Sequence, residues 1–323
     1  MRLSRFPLPL PPHRPARLLR GILVVLLVAV MAFPAAASEV RGVVAFAQDD
    51  LSNDWRRAQV EAVRRALASH PGVDFRVSDA HGSLALQVKH IEDWVARDVD
   101  VLVTSPLDSR AMAPVIRQAV DAGTPVVLLS RGVEGDGYTS FIHPDNTRIA
   151  RAAGQEMASR LAGEGRVLML AGQPGATTTI RRARAFMEVM DQHPGIRVER
   201  RRADYLRGEA IRVVEAILAE RGGFPFEAIY AQSDSMASGA RMALEGAGID
   251  VEGLTIIGID YIAEARKAIR KGRQDMSFTY PTGGREGARV VLDLLRGQSV
   301  AREITLESVR VTEENVDQVE PIF

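Results

Sequence analysis

From Phe226 to Asp260 the chain reads FEAIYAQSDSMASGARMALEGAGIDVEGLTIIGID. An apolar run at 228–231 stops at the polar triplet Gln232-Ser233-Asp234, and Met236, Ala240, Ala243 and Leu244 then follow at i, i+4, i+7 and i+8. That spacing is one face of a helix. A second apolar run, 254–259, stops at Asp260. Strand, helix and strand form a βαβ unit with parallel strands and an acid just past the carboxyl end of each. In an open parallel sheet those ends face the crevice where ligands bind, so Asp234 and Asp260 are placed to meet a polar ligand. Asp234 is equally placed to cap the helix it precedes, and the two roles are compatible.

The same alternation extends in both directions. Upstream, apolar runs at 40–47, 73–77, 99–104 and 125–129 are separated by helix stripes: Trp55, Val60, Val63 and Leu67; Leu84, Val88, Ile91 and Val95; Met112, Val115, Ile116, Ala119 and Val120. The polar loop at 48–54 offers Asn53 or Asp54 as a helix cap. After a glycine-rich loop at 132–137, a short run at 138–142 passes through His143-Pro144-Asp145-Asn146 into a long helix, and the pattern starts again. Its strands are 166–171, 196–199, the two runs already quoted and 276–278. Helices lie near 178–190, 208–220, 235–246 and 263–271, followed by a helix carrying Gly287, Val290, Val291, Leu294 and Leu295 and a last strand near 309–311. Strands alternating with helices predict α/β architecture with parallel sheets covered on both faces. The length suits two such halves of roughly 100 to 150 residues.

The first residues stand apart from this pattern. Arg2, Arg5, Arg14, Arg17 and Arg20, with no acid among them, precede an apolar run at 21–33 and then Pro34-Ala35-Ala36-Ala37-Ser38. A basic region, a short apolar core and an A-x-A site read as a secretory signal peptide, 1–37, removed after Ala37. The competing reading, a retained anchor, suffers from the length of the run, because a span needs about 20 apolar residues. Without those five arginines 36 bases face 41 acids, and the mildly acidic remainder points to no nucleic-acid partner. The chain has no cysteine, which excludes disulfides, thiol catalysis and a lipidated cysteine at the cleavage point. The mature chain is expected outside the inner membrane and not embedded in it; in a Gram-negative cell that is the periplasm.

Catalytic and cofactor signatures are absent. The six histidines are scattered, with no pair at i, i+4 beside an acid. Neither a G-x-S-x-G elbow, nor a phosphate loop, nor a dinucleotide G-x-G-x-x-G occurs in the required context. Gly172-Gln173-Pro174-Gly175 follows a strand, but as a lone glycine loop it reads first as a turn. No catalytic residue, metal or cofactor is therefore expected, and two lobes with a cleft read as a binding device.

Laid out in order, the chain resembles the ribose/galactose type of periplasmic sugar-binding protein that serves ABC transporters. The segments that carry the resemblance are Leu51-Ser52-Asn53-Asp54-Trp55, Ser105-Pro106-Leu107-Asp108-Ser109, Ser130-Arg131, His143-Pro144-Asp145-Asn146, Gly175 to Arg182, Ala203-Asp204-Tyr205, Ala231 to Ala237, Gly258-Ile259-Asp260 and Phe278 to Gly284. The resemblance implies two Rossmann-like lobes, each a parallel sheet flanked by helices, joined by a three-segment hinge near Pro144, 279–281 and Glu307. The lobes would be 38–144 with 280–307, and 145–279 with 308–323. It also implies that Asn53, Trp55, Arg56, Ser105, Arg131, Arg182, Tyr205, Ser233, Asp260 and Thr279 meet the ligand, alongside Asp234. The molecule would be a monomer that closes on a monosaccharide and delivers it to an ABC transporter permease. An alternative is a sensor subunit that reports the sugar to a membrane histidine kinase or chemoreceptor.

The residue types suit those roles. Arginine and aspartate form geometrically fixed, charge-assisted bonds to vicinal hydroxyls, and an aromatic ring covers the apolar C–H face of a sugar. The chain also departs from the family pattern. Ser130 stands where an aspartate is common beside the arginine, Ser233 where asparagine is, and Ile259 where an aromatic is. Arg56 replaces a second aromatic, and the Trp55-Arg56 pair is similar to the galactofuranose-binding branch. These differences make the cleft more positive and leave an acidic sugar or another small anion open. A lactose-repressor-like protein would share the fold, but a signal peptide stands where its DNA-binding helices should be. Mass spectrometry of exported protein is expected to find a chain starting at Ser38; a chain that keeps 1–37 in the membrane fraction would refute the cleavage.

Overall fold

The apolar runs are buried on both sides, and this sets the layering of the computed structural model, which describes residues 39–323. The expected signal peptide lies outside the described residues. In chain order the elements are β1 Gly42–Gln48, α1 Asp54–Leu67, β2 Val73–Asp79, α2 Leu84–Val95, β3 Val101–Thr104, α3 Ala113–Asp121, β4 Val126–Leu129 and β5 Ser140–Pro144. Then come α4 Asn146–Arg160, β6 Glu164–Ala171, α5 Thr177–Met190, β7 Gly195–Arg202, α6 Arg207–Arg221, β8 Ala228–Ala231, α7 Asp234–Gly246, β9 Thr255–Ile257 and α8 Ala263–Arg270. The chain ends with β10 Ser277–Phe278, α9 Gly284–Leu295, β11 Glu303–Leu306 and β12 Arg310–Val311.

Along β1, Val44 and Phe46 pack with Val60, Val63 and Leu67 of α1 and Val290 and Val291 of α9. Ala45 and Ala47 face the other way, toward Ile91 and Trp94 of α2 and Val115 and Ile116 of α3. Alternate side chains of one strand thus feed two cores, as a strand buried on both faces requires. The second half repeats the device in β8, where Ala228 and Tyr230 join α4 and α5 while Ile229 and Ala231 join α6 and α7.

Two parallel sheets result, one in each lobe. The first has the order β11-β5-β4-β3-β1-β2 and the second β7-β6-β8-β9. A short antiparallel pair, β10 and β12, continues the second sheet through parallel bridges from Ile257 to Met276 and from Asp260 to Thr279. The chain passes between the lobes three times: from β5 into α4, from β10 into α9, and from β11 into β12. Among the described residues no helix is long and apolar enough to cross a membrane.

Two elements differ from the sequence expectation. β11 was not expected: only Ile304 and Leu306 of Glu-Ile-Thr-Leu turn toward the core, too short an alternation to read as a strand. The run at 254–259 gives a strand of only three residues, because beyond Ile257 the chain leaves the ladder toward the left-handed backbone of Asp260 and Tyr261, with φ of 115° and 54°.

Helices α1 and α9 meet through Gly284, the first residue of α9. A β-carbon there would stand 2.8 Å from the carbonyl carbon of Ala62 and 2.9 Å from the backbone nitrogen of Val63. Backbone cannot give way as a side-chain tip can, so the helices would have to part. Gly284→Ala is therefore expected to lower the unfolding free energy by about 1–3 kcal/mol, measured by urea denaturation. An unchanged midpoint would show that this contact does not hold α9 in place.

Candidate functional site

The carboxyl ends of the parallel strands in both lobes point into the space between them. There a cavity lies within walls of Asn53, Trp55, Arg56, Ser130 and Arg131 from the first lobe and Thr178, Arg182, Tyr205 and Asp260 from the second, with Tyr280 on a crossing segment.

Each wall residue is fixed by local structure. Asn53 caps α1 through Oδ1, which accepts from Arg56 N at 3.0 Å, while its Nδ2 donates to Tyr205 O in the opposite lobe at 2.8 Å. The cap orients the first turn of α1, and Trp55 and Arg56 follow from it. The indole N–H of Trp55 donates to Tyr280 O at 3.1 Å, and its ring is tilted against that of Tyr280 with centroids 5.5 Å apart. The Tyr205 hydroxyl hydrogen-bonds to the hydroxyls of Thr178 and Thr179, at 3.0 and 2.7 Å, which fixes its ring in the wall. The Arg131 and Arg182 guanidiniums lie 5.4 and 5.9 Å from the centre of its ring.

Three buried arginines line this space. Asp49, just past β1, lies 3.1 Å from Arg56 Nε and 2.8 Å from Arg131 Nη1, one carboxylate oxygen to each. Arg56 Nη1 also donates to Ser130 Oγ at 3.0 Å. Arg182 donates through Nε to Asn146 Oδ1 at 2.8 Å and through Nη1 to the Gln232 carbonyl, and its guanidinium sits 4.4 Å from the Tyr280 ring centre. Burial and then the neighbouring Arg131 push Arg56 down to about 10, so it stays cationic at neutral pH. Burial opposes the charge of Arg182 too, but Tyr205, Tyr280 and Asp260 outweigh it and its value is raised. Burial raises Asp260 well above the ordinary carboxylate range, with Arg182 opposing the shift and Asp234 adding to it.

Backbone strain concentrates here. Ser130, Tyr205 and Asp260 all have left-handed φ, 62°, 65° and 115°, and all three line the cavity. Such geometry persists in non-glycine residues only where the surroundings over-determine it, and it clusters at binding sites. The lobes also touch directly. Besides the contact from Asn53 to Tyr205, Asp54 pairs with Arg207 at 3.0 Å, Gly132 N donates to Thr177 Oγ1 at 3.0 Å and Ser109 N to Gly175 O at 2.9 Å. This is a closed arrangement.

Of the residues singled out from sequence, Asn53, Trp55, Arg56, Arg131, Arg182, Tyr205 and Asp260 come together around the cavity, and four lie behind it. Ser105 Oγ donates to Leu129 O at 2.6 Å. Ser233, rather than Asp234, caps α7, accepting from Met236 N at 3.3 Å. Asp234 stands one residue further in and accepts from Tyr261 N and Gln274 Nε2, each at 2.7 Å, and from Ser277 Oγ. Thr279 Oγ1 accepts from Val309 N at 2.8 Å, tying two crossing segments together. Sequence reasoning passed over Asp49, Thr178 and Tyr280. Asp49 carries the same signal as Asp234 and Asp260, an acid just past the end of a strand.

A model of the periplasmic binding protein domain matches residues 44–299. The chain belongs to this family. Among relatives of this periplasmic binding protein, the ribose import binding protein of Bacillus subtilis (strain 168) is 28% identical over 240 residues, 74% of this chain and 77% of its own. The galactofuranose-binding protein of Escherichia coli (strain K12) is 28% identical over 241 residues, 72% of this chain and 76% of its own. The structure of an ABC transporter solute binding protein from Bacillus halodurans C-125 with bound myo-inositol superposes with a TM-score of 0.80 at 25% identity. It covers 87% of this chain and 98% of that one.

Beneath this periplasmic binding protein's cleft, burial lifts Asp234 from 3.8 to about 6, against the hydrogen bonds from Ser277, Gln274 and the Tyr261 amide. A carboxyl whose folded value is raised takes up its proton more readily folded than unfolded. Its contribution to stability is full below about pH 4 and is lost as pH rises through about 6. Urea unfolding of the wild type relative to Asp234→Asn is thus expected to show the difference falling from pH 4 to about 6.5 and then levelling. A difference flat across that window would contradict the shift.

Proposed function

We propose that this protein is the solute-binding component of an ABC importer, which closes its lobes on one monosaccharide in the periplasm and delivers it to a membrane permease. The observation that carries this reading is the cavity itself: it exists only between the lobes, and each lobe supplies both a charged group and an aromatic face to it. Trp55, Tyr205 and Tyr280 offer rings for the C–H faces of a sugar, while Arg56, Arg131, Arg182 and Asp260 offer donors and acceptors for its hydroxyls. The ribose and galactofuranose named for the two relatives and the myo-inositol of the solved neighbour are all polyhydroxylated.

Asn53, Trp55, Arg56, Arg131, Arg182, Tyr205 and Asp260 are assigned to contact the ligand, and Ser105, Ser233, Asp234 and Thr279 to hold those contacts in place. The lobes are taken as 38–144 with 280–307 and 145–279 with 308–323, in a monomer whose signal peptide is cleaved near Ala37. The function is binding rather than catalysis, since guanidiniums, hydroxyls, rings and one carboxyl are suited to hold a ligand. A ligand touching Arg131 on one lobe and Arg182 and Asp260 on the other favours the closed state, because only there can it reach all three.

A thermal-shift panel of monosaccharides should identify a ligand that raises the melting temperature, because it binds the folded state alone. Small-angle scattering with that ligand is expected to show a smaller radius of gyration than without it. Arg182→Ala should abolish the compaction and weaken binding by about 2–5 kcal/mol, the usual cost of truncating a buried charged partner. A scattering profile unmoved by saturating ligand, or normal affinity in the Arg182→Ala protein, would sink the closure mechanism.

A further inference from the structure

The charges around the cavity do not balance. Three guanidiniums, Arg56, Arg131 and Arg182, stand in its walls against two carboxyls, Asp49 and Asp260, and all five side chains are buried. Asp49 is shared between two of the guanidiniums: one oxygen accepts from Arg131 Nη1, and the other lies 3.1 Å from Arg56 Nε without a hydrogen bond. Arg182 hydrogen-bonds only to neutral acceptors, the Asn146 amide oxygen and the Gln232 carbonyl. Arg131 Nε, a buried donor in the cavity wall, has no acceptor at all. A buried guanidinium with no charged hydrogen-bond partner and a buried N–H without an acceptor are both costly, and a ligand that supplies what they lack relieves both costs on binding.

We propose that the ligand is a sugar monocarboxylate, a uronic or aldonic acid of monosaccharide size, whose carboxylate is received by the arginines while its hydroxyls meet Asp260 and the aromatic rings carry its C–H face. The inference rests on the sugar-binding reading and narrows it. One negative charge restores neutrality in the closed cleft, whereas a phosphate ester near −2 overshoots. Ser130 sets the balance: its hydroxyl lines the cavity 3.0 Å from Arg56 Nη1, where an acid would cancel the surplus.

The test is calorimetric titration of the mature protein, at low and at physiological salt, with matched pairs: galacturonate and galactose, glucuronate and glucose, ribonate and ribose, with glucose 6-phosphate as a further arm. At least one acid is expected to bind about tenfold or more tightly than its neutral parent, with an advantage that shrinks as salt is raised. Ser130→Asp should swing that ratio at least about tenfold toward the neutral sugar. Aspartate tolerates the left-handed backbone at this position, and an unchanged unfolding midpoint checks that the variant is folded. If the neutral parents bind as tightly as the acids or more so, or if Ser130→Asp leaves the ratio unmoved, the charge assignment is wrong while sugar binding stands. If the phosphate ester binds best, the carboxylate assignment is wrong. If no sugar and no sugar acid binds, this inference and the sugar-binding reading fall together.

Discussion

Asp49 between Arg56 and Arg131 is the contact on which the first lobe's half of the site depends. Two guanidiniums side by side in a buried wall repel each other, and burial weakens the charged form of Arg56. One carboxylate shared between them permits the arrangement. Buried pairs of this kind contribute little net stability, because desolvation offsets most of their attraction, but removing one partner leaves a charge stranded. The pair is thus better understood as a device that fixes where two guanidiniums point. Asp49 can serve it because β1 delivers the residue after its last strand position directly beneath the first turn of α1, and Asn53 caps that turn.

The second lobe solves the same problem differently. Arg182 rises from the first turns of α5 and is held by Asn146 Oδ1 and by the carbonyl that follows β8, neutral acceptors that orient it without cancelling its charge. One lobe thereby presents two guanidiniums that share one carboxylate, and the other a guanidinium near Asp260 whose hydrogen bonds go to neutral groups. The lobes meet around this cavity through a handful of polar contacts: an amide to a carbonyl, a half-exposed ion pair and two loop hydrogen bonds. Contacts of that kind are each worth about 1 kcal/mol or less. A closed state resting on them alone is close in energy to an open one, and a bound ligand touching both walls can shift that balance.

Much of this was legible in the sequence, and the physics says which parts. Strands buried on both faces read as unbroken apolar runs, so β1, β3, β4, β6 and β8 stand out, and helices facing one core show a clean stripe. β11 escaped because an edge strand with one buried face needs only two apolar side chains. The site residues at the ends of strands were legible by topology, since parallel strands deliver them to one edge. Whether such a residue faces the ligand or the support behind it was not, because that turns on one rotation of backbone. Asp260 enters the cavity at a φ of 115° while Asp234, after the neighbouring strand, turns into the protein.

That division of labour between two acids is itself informative. The strained stretch at Asp260 and Tyr261 requires something to hold it, and the Asp234 carboxylate does so, accepting the Tyr261 amide together with Ser277 and Gln274. The space for that carboxylate exists because Gly258 has no side chain; a β-carbon there would run into it. A buried acid with a raised proton affinity is a costly support, yet it sets the backbone angle from which Asp260 meets the cavity. The same logic explains why four polar residues read as ligand contacts stand one layer back. In a cleft walled by buried charge, the groups that aim the charged side chains must be polar as well, and by residue type alone they are indistinguishable from the groups that touch the ligand.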